Sequence, residues 1–227
     1  MITFANAEDN PMSKPAEPSE SEKPNAIYVN GCSISGEDQS MRNVRLWRID
    51  AEQGNSAAQN NLGCSYAEGL GVDKDFKEAA RWFELSANQG FAAAQKHLAQ
   101  LCLSGWGIEK NDKEAVRLLL LSASQGNSEA QRLLGELHLE GQGVVRDSAE
   151  AVRWFLLSAK QENDGAQLSL GYCFTFGLGV RVDAREACHW FRLSAANNNA
   201  EAKIACTMSG PGQWDFLNQL FAEEPTT

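Results

Sequence analysis

The sequence has 227 residues, of which 43% are hydrophobic, and its formal net charge is −10. A chain of this length can bury a sizeable core, but it lacks the clustered lysine and arginine that a tight nucleic-acid binder needs. It has neither the run of about 18 apolar residues of a membrane span nor the basic and apolar start of a secretory signal. We therefore expect a cytoplasmic protein without a membrane span and without a nucleic-acid partner.

The first 40 residues form an acidic segment rich in Pro, Ser and Glu, with seven acidic and two basic side chains. Such a composition predicts a disordered N-terminal tail over residues 1–40. Residues 41–54 follow with the pattern of a single helix. Their Ala51 and Gly54 match Ala87 and Gly90 further along, so we interpret this segment as a partial repeat that has only the second helix of its unit.

Four segments come into register without a gap when the sequence is shifted against itself by 36 residues. They define repeat 1 (55–90), repeat 2 (91–126), repeat 3 (127–162) and repeat 4 (163–198). Each opens with an Ala-Gln pair, a leucine three residues after the Gln and then a small residue, namely Gly63, Ala99, Gly135 and Gly171. The apolar spacing predicts a first helix, and we expect the small residue to let a neighbouring backbone approach closely.

Each predicted first helix runs into a Gly-x-Gly turn, which is typical of a helix that ends in a left-handed conformation. A second helix then begins at an Asp or Asn that is followed three residues later by Glu. The pairs are Asp75/Glu78, Asn111/Glu114, Asp147/Glu150 and Asp183/Glu186. This spacing predicts a reciprocal capping box, in which the two side chains bind each other's backbone amides.

Residues 199–222 continue the pattern with a further first helix and then Trp214, Leu217, Leu220 and Phe221 at helical spacing. We predict a partial repeat and a C-terminal capping helix here, followed by a tail over residues 223–227. Because one helix pair cannot bury its apolar face alone, the units are expected to stack into an all-α solenoid.

The repeated residues resemble the Sel-1-like repeat, and the resemblance covers about two thirds of the chain. In repeat 1 it is carried by Leu62-Gly63, by the Y-x-x-G-x-G-V segment over residues 66–72, by Glu78-Ala79 and by Trp82. The resemblance implies a right-handed α-solenoid of antiparallel helix pairs, related to tetratricopeptide repeats. It also implies an adaptor in protein–protein contacts rather than an enzyme, with no cofactor.

Candidate chemistry is sparse in this pattern. The three histidines occupy different repeat offsets and lack the spacing of zinc ligands, so no metal site is expected. One alternative is a hydrolase of the cysteine-rich, penicillin-binding branch of the family, but Cys64, Cys102 and Cys173 stand at three different offsets. Another is a regulatory subunit that acts through its tails, where Ser19 to Glu22 is a candidate modification segment.

The positions that do not repeat point to a binding surface. We define the first-helix face as the residues at the offsets of 60, 64 and 68, which would line the concave side of the solenoid. They are Asn60, Cys64 and Glu68; Lys96, Gln100 and Ser104; Arg132, Glu136 and Glu140; and Leu168, Tyr172 and Phe176. The face changes from polar to aromatic along the chain, which predicts a site for a peptide or protein partner at Lys96, Gln100, Arg132, Glu136, Leu168, Tyr172 and Phe176. The open alternative is that the C-terminal segment with Trp214 and Phe216 covers Tyr172 and Phe176.

Overall fold

The structure is a computed structural model that describes residues 39–197 and 199–208, with no side-chain description for residues 204 and 206–208. The chain divides into two units, Met1–Glu37 and Asp38–Thr227, and the described residues belong to the second. The predicted N-terminal tail lies outside them except for Gln39 and Ser40, which begin the first helix. The predicted capping helix and the tail over residues 223–227 lie outside them altogether.

Within the described ranges the secondary structure consists of ten helices and no strand. Each helix packs against the next one along the chain, which confirms the prediction of an all-α solenoid built from helix pairs. The helices are α1 (Gln39–Glu52), α2 (Ser56–Glu68), α3 (Phe76–Asn88), α4 (Ala92–Ser104), α5 (Asp112–Ser124), α6 (Ser128–Glu140), α7 (Ser148–Ala159), α8 (Asp164–Phe176), α9 (Ala184–Ala196) and α10 (Ala200–Met208). None of these helices has the length and apolar character required to traverse a bilayer.

The predicted caps of the second helices form, but the capping box does not close as predicted. The carboxylate of Asp75 accepts from the amides of Lys77 at 2.8 Å and Glu78 at 3.2 Å. The amide of Asp75, however, donates to the carbonyl of Tyr66 at 2.9 Å, and Glu78 binds Arg81 instead. The same amide-to-carbonyl bond recurs from Asn111 to Cys102, from Asp147 to His138 and from Asp183 to Phe174. Each cap therefore joins the two helices of its repeat.

The Gly-x-Gly turns adopt the predicted left-handed conformation. Gly105 ends α4 at φ 74° and Gly107 follows, also at φ 74°. A Cβ on Gly107 would collide with the carbonyl of Phe76 and would come within 2.7 Å of the amide nitrogen of Lys77. The second glycine therefore allows the turn to rest against the N-terminal end of the second helix in the preceding repeat.

The small residue that follows the repeated leucine of each first helix has a different neighbour from the one predicted. A Cβ on Gly63 would come within 2.6 Å of the ring of Phe83. The prediction of a close backbone approach is therefore wrong, because the space is filled by an aromatic side chain of the second helix in the same repeat.

The repeated glutamine belongs to a buried hydrogen-bond network, which we call the glutamine ladder. Gln59 donates to the carbonyl of Ala51 at 3.0 Å and accepts from the amide of Gln89 at 2.7 Å. The equivalent bonds recur at Gln95, Gln131 and Gln167. Because a buried amide is costly when it is unpaired, the ladder fixes how each first helix sits between two second helices.

Candidate protein-binding surface

The first-helix face lies on α2, α4, α6 and α8, and polar contacts join residues of neighbouring first helices along it. On the first two helices, Nδ1 of His97 is 3.0 Å from Oδ1 of Asn60 and 3.8 Å from Sγ of Cys64. The His97 ring also packs on Phe83, with the ring centroids 4.9 Å apart. His97 thus contacts this face from the neighbouring helix, although its own offset is not one of the three that define the first-helix face.

The Cys64 and His97 pair does not have the electrostatics of a nucleophilic site. Burial raises the pKa of the Cys64 thiol, and the nearby Glu68 carboxylate raises it further. Burial, with a smaller effect from the Lys96 cation, lowers the pKa of His97 to about 4. A catalytic cysteine requires the opposite shifts, which favour a thiolate beside an imidazolium. The contact is therefore better understood as packing between helices.

Arg132 is the centre of an ion-pair network on α6. Its guanidinium donates to Glu129 at 2.7 Å and 3.0 Å and also binds Glu136. Glu129 in turn accepts from the side-chain amide of Asn163 at 3.2 Å, which links α6 to the beginning of α8. The positive charge of Arg132 is thus shared between two carboxylates of its own helix.

Burial and charge act in different directions within this network. The hydrogen bond from Arg132 lowers the pKa of Glu129, whereas burial raises the pKa of Glu136 despite the same arginine. Burial also lowers the pKa of Lys96 on α4, and the charge of Glu129 opposes that shift. These groups are therefore partly buried rather than fully surrounded by water.

The outer positions of the face on α2, α4 and α6 are polar and exposed: Glu68, Gln100, Ser104 and Glu140. The face is different on α8. Leu168 packs against the buried pair Ala187 and Phe191, whereas Phe176 is 61% exposed at the end of its helix. On α8 the face is therefore apolar, and its last aromatic ring is in contact with solvent.

Tyr172 connects α8 to α9 and α10. Its hydroxyl donates to Glu201 at 2.7 Å, its ring lies edge-on to Phe191 at 5.2 Å and it stacks on Phe176 at 6.2 Å. Burial and then the bond to Glu201 raise the pKa of Tyr172 to about 12. The alternative in which Trp214 and Phe216 cover Tyr172 and Phe176 involves residues outside the described ranges.

The described residues do not support a metal site or the cysteine-rich hydrolase. No group of three His, Cys, Asp or Glu among them could hold a metal ion. The four cysteines whose side chains are described, Cys64, Cys102, Cys173 and Cys188, are not in disulfides, and burial raises the pKa of Cys173 to about 11. The cysteine-rich hydrolase therefore gains no support.

Comparison with protein families identifies four Sel1 repeats, at residues 56–91, 92–127, 128–163 and 165–199. Together they cover more than half of the chain. A comparison with curated protein sequences finds no match.

Three solved structures illustrate the structural similarity. A Sel1 repeat protein from Oxalobacter formigenes is 33% identical with a TM-score of 0.70, and the alignment covers 73% of this chain and 66% of that one. A protective antigen of uropathogenic Escherichia coli with an SLR fold is 34% identical with a TM-score of 0.66, over 70% of this chain and 34% of the antigen. An immunity protein from Pseudomonas aeruginosa, 20% identical with a TM-score of 0.54 over 74% of this chain and 62% of its own length, shares the fold. The chain thus spans less than two thirds of the length of each of these proteins.

Proposed function

This chain belongs to the Sel1 repeat family, and from that premise we propose that it is a non-enzymatic adaptor that binds a peptide or protein partner on its first-helix face. Sel1 repeat proteins generally mediate protein–protein interactions, and their fold is typically a non-catalytic scaffold. The proposal includes a cytoplasmic location, which rests on the expectation of reduced cysteines.

The observation that carries the proposal is the exposed aromatic end of the face. Phe176 is 61% exposed, yet its ring is stacked on Tyr172, which Glu201 and Phe191 hold in place. A ring fixed in this way loses little conformational freedom when a partner covers it. Aromatic side chains of this kind commonly supply most of the binding energy at an interface.

The polar part of the face supplies selectivity in this proposal. Glu136 and Lys96 are partly buried, and their charges act through a medium that screens them less than bulk water does. Gln100 is exposed one turn after Lys96 on α4. A partner with an apolar residue for the aromatic end and polar groups for this stretch would satisfy both parts of the face.

The experiment compares the proteins captured from cell extract by three immobilised forms of the chain. One is unaltered, and one carries Phe176→Ala and Gln100→Ala, which change two exposed positions of the face. The control carries Leu120→Ala and Leu157→Ala, two exposed leucines of second helices. We expect the face variant alone to lose a specific set of partners while all three melt at similar temperatures. Identical sets of partners from the face variant and the unaltered chain would refute the proposal.

A further inference from the structure

We propose that the N-terminal end of the solenoid is a second docking site, separate from the first-helix face, that accepts one first helix of the Sel1 repeat type from a partner protein. The site, which we call the end slot, lies between α1 and α2. It goes beyond the proposed adaptor function because it uses the end of the stack rather than the first-helix face.

The burial of α1 identifies which of its sides is open. In the 36-residue register Leu46 corresponds to Trp82, but Leu46 is 45% exposed where Trp82 is 6% exposed. Asp50 is likewise exposed where its counterpart, Ser86, is fully buried. In repeat 1 these positions pack against the first helix of the same repeat, which has no counterpart before α1 among the described residues.

The opposite side of α1 is covered as in every other repeat. Val44 and Ala51 are buried in one cluster with Ala58 and Leu62 of α2. The open side therefore differs from the covered side because the described residues include no first helix before α1, and not because α1 is exposed on all sides.

A cavity lies where such a first helix would pack against α1 and α2. It has a volume of about 180 Å³ and is lined by Ser40, Asn43 and Trp47 of α1 and by Asn61, Cys64 and Ser65 of α2. In repeat 1 the residue equivalent to Trp47 is Phe83, whose ring covers Gly63 of its own first helix. Trp47 therefore lies in the end slot, but no described residue faces it as Gly63 faces Phe83.

A second residue in the end slot, Gln53, lacks among the described residues the hydrogen-bond partner that a first helix supplies in the other repeats. Gln53 corresponds to Gln89, whose amide donates to Gln59 in the glutamine ladder. The side chain of Gln53 is exposed and forms no hydrogen bond to any residue that the structure describes. An occupant with glutamine at the ladder position and Gly four residues later would pair with Gln53 and leave room for the Trp47 ring.

The Gln-x-x-Leu-Gly sequence that the end slot requires favours a partner protein as the occupant rather than a segment of this chain. Residues 1–38 contain neither glutamine nor leucine, so they cannot supply the Gln-x-x-Leu-Gly pattern of a first helix. In a second copy, α10 has Lys203 in place of the ladder glutamine. A lysine ammonium has no acceptor for the side-chain amide of Gln53.

The test uses the full chain and a fluorescein-labelled peptide of residues 127–141, which has the Asn cap, Gln131, Leu134 and Gly135 of a first helix. Fluorescence anisotropy should show saturable 1:1 binding, weakened by the cost of ordering a short helix. The same peptide with Gly135→Ile should bind at least about tenfold more weakly, because the side chain meets the Trp47 ring. Failure of the parent peptide to bind, or equal binding of both peptides, would overturn the proposal.

Variants of the chain locate the bound peptide. Gln53→Ala should weaken binding about fivefold through loss of one hydrogen bond, and Leu46→Glu should abolish it by placing a charge in the end slot. Gln125→Ala, at the equivalent ladder position of repeat 2, and Phe176→Ala, on the first-helix face, should leave it unchanged. Loss of binding in the Phe176 variant would overturn the end slot and point to the first-helix face.

Sedimentation of the unlabelled chain separates a partner from a second copy. We expect a monomer at the concentrations used for anisotropy. A dimer that Leu46→Glu dissociates would overturn the proposal, since it would make a second copy the occupant.

Discussion

Gly135 lies so close to the ring of Phe155 that a Cβ at position 135 would come within 2.5 Å of the ring. Gly63 and Gly171 have the same relationship to Phe83 and Phe191. Repeat 2 is the exception, and it differs at both positions, with Ala99 and Leu119. A larger residue on the first helix thus coincides with a smaller one on the second, which indicates that the two side chains share one space.

Transferring the repeat 2 pair into repeat 3 tests this shared space. Gly135→Ala alone should destabilise the fold by about 1–3 kcal/mol, because the ring of Phe155 cannot move away in a packed core. Phe155→Leu alone should cost about 1–2 kcal/mol through the cavity that it leaves. In the double variant the new methyl occupies part of that cavity, so the cost should be smaller than the sum by about 1 kcal/mol. Urea unfolding of the four proteins measures each free energy.

The reverse exchange is the matched control. Leu119→Phe alone should be strongly destabilising in repeat 2, and Ala99→Gly should relieve most of that effect. Strictly additive free energies in both repeats would contradict the shared-space interpretation.

Much of the fold could be predicted because its determinants are local and repeat four times. The glycine turns and the caps depend on residues a few positions apart, which the sequence displays directly. The glutamine ladder was different: Gln59 was visible as a repeated residue, but its partners Ala51 and Gln89 are eight and thirty residues away. Helical spacing indicates which residues share a face of one helix, so it did not reveal these bonds between different helices.

The failure of the capping box has the same origin. Glu78 has the spacing to bind the amide of Asp75, but the carbonyl of Tyr66 on the neighbouring helix already accepts from that amide. On the first-helix face, the bonds from Arg132 to Glu129 and Glu136 follow i, i+3 and i, i+4 spacing and were available in the sequence. The bond from Tyr172 to Glu201 could not be predicted, because Glu201 belongs to the next unit and comes near Tyr172 only when the units pack together.

The two glycines of a turn should differ in their tolerance of a side chain. At Gly105 a Cβ meets its nearest atom, the Cβ of Lys110, at 3.4 Å, so Gly105→Ala should cost only the strain of a positive φ, about 1 kcal/mol. Gly107→Ala adds a collision with the backbone of Phe76 and Lys77 and should cost at least about 1 kcal/mol more. Thermal unfolding of the two variants checks this order, and equal losses would show that the close approach is unimportant.

His97 should make the stability depend on pH in a defined window. Its pKa is about 4 in the fold, against an ordinary value of 6.5, so between these values the unfolded chain binds a proton that the folded chain does not. The free energy of unfolding should therefore fall as the pH falls from 6.5 to about 4, by at most about 1.4 kcal/mol per pH unit from this group. Below that window both states are protonated and the contribution levels off.

The comparison protein for this prediction is His97→Gln, which keeps a side-chain amide for Asn60. Carboxylates such as Glu129 and Glu136 titrate in both proteins, so their effects largely cancel in the difference. Urea unfolding at a series of pH values should show the unaltered chain losing more stability on acidification than the variant. Parallel pH profiles would mean that His97 is not held in its neutral form.

The glutamine ladder predicts unequal effects for its two partners in repeat 3. Gln131 is buried, donates to the carbonyl of Ala123 at 3.2 Å and accepts from Gln161 at 2.8 Å. Gln131→Leu should destabilise the fold by about 1–2 kcal/mol, because it removes both hydrogen bonds of a buried amide, although the carbonyl of Ala123 still accepts from the amide of Gly126. Gln161→Ala removes only the exposed partner and should cost about 1 kcal/mol or less, since water can replace its amide. Urea midpoints in the opposite order would show that the ladder does not hold the first helices in place.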